Sequence, residues 1–285
     1  MATVKEIREE IGFNSELAGL LDVMKNTAVF QFRALQRRRA RFVRFTQLLT
    51  DFFRLVDPAQ APSLFLRPKT EKAAVVIVTS DEGFMGGLNF QVVNAAITHA
   101  KARDAEILIV GEKGVWYLKE MARPFTAFKG AADVVERYKL ALAIREHIVE
   151  GIKAGRFGRV FISYPNPVSF MVQKVEVIEA LPTASSFFEE AGKDIKREEV
   201  IIESPIEGIM EYLVEEVMLQ KLMAVLEDSK LSEFAARAIH LEKSGQGLAE
   251  KRKLLNFQYF HAYHEVIDKN TRELFSSQII LRKKQ

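Results

Sequence analysis

Both ends of this chain carry a heptad rhythm, and neither stretch contains a proline. Between Val4 and Val56 apolar residues recur at Phe13, Leu17, Leu21, Met24, Ala28, Phe32 and Leu35, and again at Phe42, Phe45, Leu49, Phe52 and Val56. The first proline is Pro58, and none follows Pro205. Beyond Pro205 the spacing returns at Ile206, Ile209, Leu213 and Val217, then at Phe234, Ala238, Leu241, Gly245, Leu248, Arg252, Leu255, Tyr259, Ala262 and Val266. Steps of three and four keep one stripe facing a neighbouring helix, which is the seam of a coiled coil. At ~1.5 Å per residue, helices of ~50 and ~75 residues are ~75 and ~110 Å long. Neither fits inside one compact globule of 285 residues. Two such helices at opposite ends pair most simply with each other, antiparallel, and the middle becomes an insertion. Gly12, with Asn14 and Ser15 after it, marks a bend or a fresh helix start in the first stretch.

The middle, from about Lys72 to Ser204, has a different period. Strands are expected at Ala73–Thr79, Glu106–Val110, Val160–Tyr164 and Val172–Ala180. The first two are continuous apolar runs, as in strands covered on both faces. Helices are expected at Leu88–Ala102, Lys113–Ala122 and Ala132–Lys153. Alternation of strand and helix predicts a mainly parallel sheet with helical covers. The stretch Pro182–Glu199 reads as a loop leading to the last helix. The division expected is a coiled-coil helix over 1–57, an α/β domain over 72–204 and a second coiled-coil helix over 205–285.

Composition closes several doors. The chain has no cysteine, so disulfides, thiolate metal sites and a cysteine nucleophile are excluded. No run of 18 apolar residues is present, so no membrane span is expected. The opening MATVKEIREE lacks the apolar core of a secretory signal. A hydrophobic share of 48% excludes general disorder. The net charge of +3 is mild, but the basic residues concentrate early, at Arg33, Arg37, Arg38, Arg39, Arg41 and Arg44. Because this cluster includes consecutive positions, it spreads round much of the helix. It is either a solvated face whose stems cover apolar neighbours or a cationic collar for an acidic partner. Nucleic acid is disfavoured, since no aromatic residues are interleaved on a sheet surface. His261 and His264 share a helix face without the further ligands a metal needs, and no G-x-S-x-G elbow occurs. No catalytic residue, metal ligand or cofactor is therefore assigned. Trp116 and Tyr117 are expected to pack their helix on the sheet.

The stretch SDEGFMGGLN, Ser80–Asn89, follows the first expected strand. A strand, a glycine turn and a helix suggest a phosphate loop, yet the details disagree. A P-loop needs G-x-x-x-x-G-K-[ST], and a dinucleotide fingerprint needs G-x-G-x-x-G. Gly83, Gly86 and Gly87 fit neither, and Phe84 and Met85 place bulk where a pyrophosphate belongs. The alternatives are a tight turn with positive φ that brings a helix close to the sheet and a platform for a partner. Asp81 is expected to sit at the N-terminus of the following helix, favoured by its dipole.

Taken with the helix–α/β–helix order, these residues resemble the gamma subunit family of F-type ATP synthases. Ser80, Asp81, Gly83, Gly86, Gly87, Leu88 and Asn89 match the family's S-D-x-G-L-x-G-G-L-N, with Phe84 where Leu is usual. The run VGEKGVWYLKE, Val110–Glu120, is similar to the family's V-G-x-K-G, and FAARAIHLEKS, Phe234–Ser244, to its A-A-R segment. Lys5, Ile7 and Arg8 match the opening, and Met24, Arg33 and Gln36 fall on family positions. The late helix departs: Tyr259 and Ile267 remain, but Phe260–His264 replaces the usual polar residues, and SSQIILRKKQ replaces an apolar tip. The resemblance implies antiparallel terminal helices with an inserted Rossmann-like domain. It also implies a non-catalytic rotor shaft that couples ion translocation to ATP synthesis or hydrolysis. The implied partners are the alpha and beta subunits, an epsilon-type subunit and the membrane c-ring. The implied location is peripheral, on the cytoplasmic face of the cell membrane. Candidate partner contacts are Arg33, Arg37, Arg38, Arg41, Tyr259, Tyr263 and His264. The competing expectation is an independent nucleotide-binding protein using Ser80–Asn89.

Overall fold

The computed structural model describes residues 3–39, 65, 68, 70–101, 105–181 and 205–282; side chains at 38–39, 101, 206–207 and 277–282 are outside the description. The expected seam residues Phe42–Val56 and the expected loop Pro182–Glu199 lie outside the described residues. In order come α1 (Val4–Arg39), β1 (Ala73–Val78), α2 (Leu88–Lys101), β2 (Glu106–Val110), α3 (Glu112–Glu120), β3 (Thr126–Phe128), α4 (Val134–Lys153), β4 (Arg159–Pro167), β5 (Gln173–Leu181) and α5 (Ile206–Arg282). The chain divides into two compact units: 1–27 with 238–285, and 28–237.

The larger unit is built on a five-stranded sheet of order β3-β2-β1-β4-β5. β1 pairs in parallel with both β2 and β4, β2 with β3, and only β5 runs antiparallel, along β4. Alternate residues serve opposite faces. Ala74, Val76 and Val78 meet α4 and the first part of α5, through Ile144, Ile148, Met210 and Leu213. Ala73, Val75 and Ile77 meet α2 and α3, through Val92, Ala96 and Leu118. All six residues of β1 are therefore buried, as a strand covered on both faces requires. α4 starts on a reciprocal cap: Glu136 N–H donates to Asp133 Oδ1 at 2.8 Å, and Ala132 N–H to Glu136 Oε2 at 3.0 Å.

Three local findings differ from expectation. β3 has only three residues, too few for sequence periodicity to reveal it. Trp116 is 54% exposed and does not pack on the sheet; Leu118 and Gly114 hold α3 there instead. The apolar spacing of α5 suggests a coil from its first turn. Residues 210–226 instead join the core against the sheet, and Met210, Val214 and Leu222 are nearly solvent-free.

In the smaller unit α1 and α5 pair antiparallel. Lys25 Nζ lies 3.0 Å from Glu242 Oε2, and Lys251 Nζ lies 2.8 Å from Glu10 Oε1, so numbers rise along one helix as they fall along the other. The α5 seam buries Leu241 and Leu255. Arg252 and Val266, expected in that stripe, are exposed. In the part of α1 that belongs to this unit, residues 4–27, the buried positions are Ile7, Asn14 and Leu21, a strict heptad, and Phe13 is 64% exposed. Asn14 occupies the seam and donates through Nδ2 to Glu10 O at 2.7 Å. A polar residue at one seam position fixes register at some cost in stability. Lys25 also lies 2.6 Å from Asp22. Its ammonium holds the Asp22 and Glu242 carboxyls below their ordinary range. Those two in turn raise the Lys25 pKa, with Asp22 the larger influence.

Candidate functional site

In an open α/β sheet, ligands bind outside the carboxyl ends of the strands where strand order reverses. Here the chain steps from β1 outward through β2 to β3, then returns to β4 on the other side of β1. The reversal lies between β1 and β4, and SDEGFMGGLN leaves the end of β1. α5 covers this place. Ser232, fully buried, donates from Oγ to Pro165 O of β4 at 2.8 Å. Arg237 donates from Nε to Gly83 O at 3.3 Å, and its Nη2 lies 3.0 Å from Glu82 Oε2. Ala236 packs on Met85 and Leu88. The space left between Thr79–Asp81, Gly130, Arg137 and Ser229–Glu233 is about 30 Å³. That is room for roughly one or two waters, whereas ligand clefts run to several hundred Å³. A nucleotide bound at Ser80–Asn89 would have to displace α5.

The loop is held from within. Asn89 accepts from Ser80 N–H at 3.2 Å and donates through Nδ2 to Ser80 Oγ at 2.9 Å, while Ser80 Oγ donates to Glu82 O at 2.7 Å. The first and last residues of the motif thus close it. Gly86 has φ 60°, as a left-handed turn requires, but Phe84 also sits at φ 64° with 54% of its surface exposed. A non-glycine in this region is strained, and sequence alone does not mark it. Asp81 does serve a helix N-terminus, but that of α3 rather than α2: its Oδ1 accepts from Glu112 N–H at 3.0 Å. β1 and β2 are parallel neighbours, so their C-terminal ends lie side by side and Asp81 meets the turn that follows β2.

The second glycine turn makes a close approach to the end of β1. Gly111 has φ 94°, and a Cβ there would overlap the carbonyl of Thr79. A Cβ on Gly114 would overlap Ile109 and the Thr79 hydroxyl. Thr79 explains the demand: its Oγ1 donates to Val110 O at 2.7 Å and accepts from Gly114 N–H at 3.0 Å. Without side chains at these two glycines, α3 can sit directly on the end of β1.

Two groups of buried charges, one between α4 and α5 and one along α5, have almost no forerunner in the sequence pattern. Arg137 donates to Glu227 at 2.8 Å, with both side chains under 10% exposed. Glu233 receives Arg237 at 2.7 Å and Lys230 at 3.0 Å. Buried charges persist only when paired, so the Arg137–Glu227 contact, which joins α4 to α5, helps fix the rotation of α5. The only sequence signal was Arg237 within FAARAIHLEKS; nothing in the spacing links Arg137 with Glu227. Further toward the start of α5, burial lowers the pKa of Lys221, whose Nζ reaches Ala180 O at 3.5 Å.

The described partner-contact candidates lie on α1 and α5. Arg33 and Arg37 are exposed on α1. Arg38 and Arg39 lie in α1 with side chains outside the description, and Arg41 and Arg44 lie outside the described residues. Tyr259 is half-buried and stacks on exposed Tyr263, centroids 5.9 Å apart, beside exposed His264. Among the described residues no cluster of His, Asp or Glu is arranged to hold a metal, and no helix is long and apolar enough to cross a membrane.

The larger unit is thus a mainly parallel sheet whose crevice is closed by the first part of α5, and the smaller unit is an antiparallel pair of α1 and α5. Residues 3–277 match the family model described as ATP synthase, and the chain belongs to that family. A relative from Geotalea daltonii named "ATP synthase gamma chain" is 27% identical over 285 residues, covering 97% of this chain and 98% of its own. One of the same name from Maridesulfovibrio salexigens is 24% identical over 91% of this chain and 92% of its own. The fold matches a chain of the Euglena gracilis mitochondrial ATP synthase rotor, with TM-score 0.67, 17% identity, and 93% and 98% of the two chains covered. It also matches a chain of the Tetrahymena thermophila central stalk and c-ring, with TM-score 0.59, 20% identity, and 79% and 99% covered.

Proposed function

We propose that this chain is the gamma-type central shaft of a rotary ATP synthase. Its paired helices stand within a ring of alpha and beta subunits, and its other contacts are an epsilon-type subunit and a membrane c-ring. Rotation of the shaft presents each ring site with a different surface in turn, linking ion translocation to ATP synthesis or hydrolysis. The chain has no catalytic residue of its own. It works peripherally, at the cytoplasmic face of the membrane.

The observation that carries this reading is the outside of the coil. Large apolar side chains point away from the seam: Phe13, Leu20 and Val23 on α1, and Leu254, Phe257 and Phe260 on α5, all more than half exposed. A soluble two-helix coil normally presents charge there. Apolar groups round it fit an enclosing sleeve of protein. Arg33, Arg37, Arg38 and Arg41 supply a cationic collar for acidic loops of that sleeve, and Tyr259, Tyr263 and His264 further contacts with it. Such charge contacts are salt-screened and loosely directional, which suits a surface that must slide. Affinity purification of the tagged chain from its native cells tests the proposal. Recovery with alpha- and beta-type ATPase subunits is expected. Recovery without them, or tight ATP binding by the lone chain, sinks it.

A further inference from the structure

Among the described residues β3 has no strand beside it on its outer side, and its surroundings are unusual. In a parallel ladder the N–H and C=O groups of successive residues point to alternate sides. Gly111 N–H donates to Phe128 O at 3.2 Å, so Phe128 and Thr126 face β2, and the N–H and C=O of Ala127 face outward. The Ala127 side chain is exposed, and a groove of about 610 Å³ runs between β3 and α3. Trp116 stands in its wall, 54% exposed, with its ring 4.9 Å from that of Tyr117. Three ammonium groups ring the groove, from Lys113, Lys119 and Lys129. Among the described residues none of them has an ion-pair partner. One carboxylate, Glu112, opposes them.

An unpaired strand edge is a template for another strand, and soluble proteins usually protect it. Lysines on an edge deter a second copy of the same edge by like-charge repulsion. They attract a strand that carries carboxylates. A flat exposed indole adds an apolar anchor of the kind that dominates peptide interfaces.

We propose that the groove between α3 and β3 is a docking site for an extended acidic segment of a partner protein. The segment adds to the sheet as a strand beside β3, placing carboxylates on Lys113, Lys119 and Lys129 and one apolar side chain on Trp116. Main-chain bonds to Ala127 supply part of the affinity, and alternate side chains supply the selection. The groove is built from α3 and β3 alone, and its failure leaves the shaft assignment untouched.

The chain contains one tryptophan, so its emission reports on the groove directly. The probe is a synthetic peptide, Glu-Val-Asp-Ile-Glu-Val-Asp, titrated into the full-length protein. The expected result is a saturable blue shift of Trp116 emission that weakens with salt. K113E/K119E/K129E should weaken binding by about 10–100-fold, from three surface pairs lost and reversed. N-methylation of alternate peptide amides should abolish binding if the segment adds as a strand. Equal binding by the lysine counterpart of the peptide, or no shift, overturns the proposal. So does a shift produced only by phosphatidylglycerol vesicles, which would assign the patch to a lipid surface.

Discussion

The two parts of α5 have the same apolar spacing and live in different surroundings. Between Met210 and Arg237 the helix is buried on several faces at once, against the sheet, α4 and the glycine loop. From Ala238 onward only a narrow stripe is covered, by α1, and large side chains such as Phe257 lie outside it. Spacing of three and four says that one stripe is apolar; it does not say how many neighbours the helix has. The first part is apolar between the stripe positions too, at Met218, Leu219 and Val225, and that extra apolar content is the physical difference.

The contrast can be broken or sharpened by substitution. The largest effect is expected at Arg137. Arg137→Ala leaves Glu227 buried and unpaired, costing about 3–5 kcal/mol in urea unfolding. Adding Glu227→Gln should recover much of it. Next comes Met210→Ala, fully buried on the sheet side, with an expected loss of about 2–5 kcal/mol from the cavity it leaves. If it proves as mild as an exposed substitution, residues 210–226 do not belong to the sheet's core.

The coil side should respond in the opposite sense. Gly245 has nothing within 4 Å of a Cβ, and alanine is the better helix former. Gly245→Ala should therefore stabilise by about 0.5–1 kcal/mol, read as a rise in thermal midpoint.

The smallest effects concern pH, and the two regions should respond with the same sign in different pH windows, the coil in acid and the sheet side in alkali. Asp22 and Glu242 have lowered pKa values through Lys25. Their support is present above their ordinary pKa values of 3.8 and 4.5 and fades as pH falls through the lowered ones. Protection of the coil against hydrogen exchange, relative to the intrinsic rate, should fall in acid, and Lys25→Met should remove that dependence. Lys221 has a lowered pKa through burial. The unfolded chain binds its proton more readily, so stability rises with pH from the lowered value up to 10.5. Lys221→Met should flatten that rise.

Much of this architecture was legible from periodicity. The strands Ala73–Val78 and Glu106–Val110 announce themselves as uninterrupted apolar runs, because strands covered on both faces leave no polar position. The helices α2 and α4 follow from their spacing, and the SDEGFMGGLN and VGEKG turns from their glycines. Phe13 misled, because an apolar residue next to the seam satisfies the spacing as well as Asn14, which occupies it. Trp116 misled because a large aromatic is usually assigned to the core, whereas here Leu118 fills that place.

Local order along the chain determined which segments are helix and which are strand, since that depends on neighbours a few residues apart. Tertiary structure alone decided what the glycine loop faces. Ser232 reaches Pro165 across 67 residues and Arg237 reaches Gly83 across 154. Contacts so distant in sequence leave no periodic trace, so only the folded chain shows that the crevice of this sheet is closed by its own last helix.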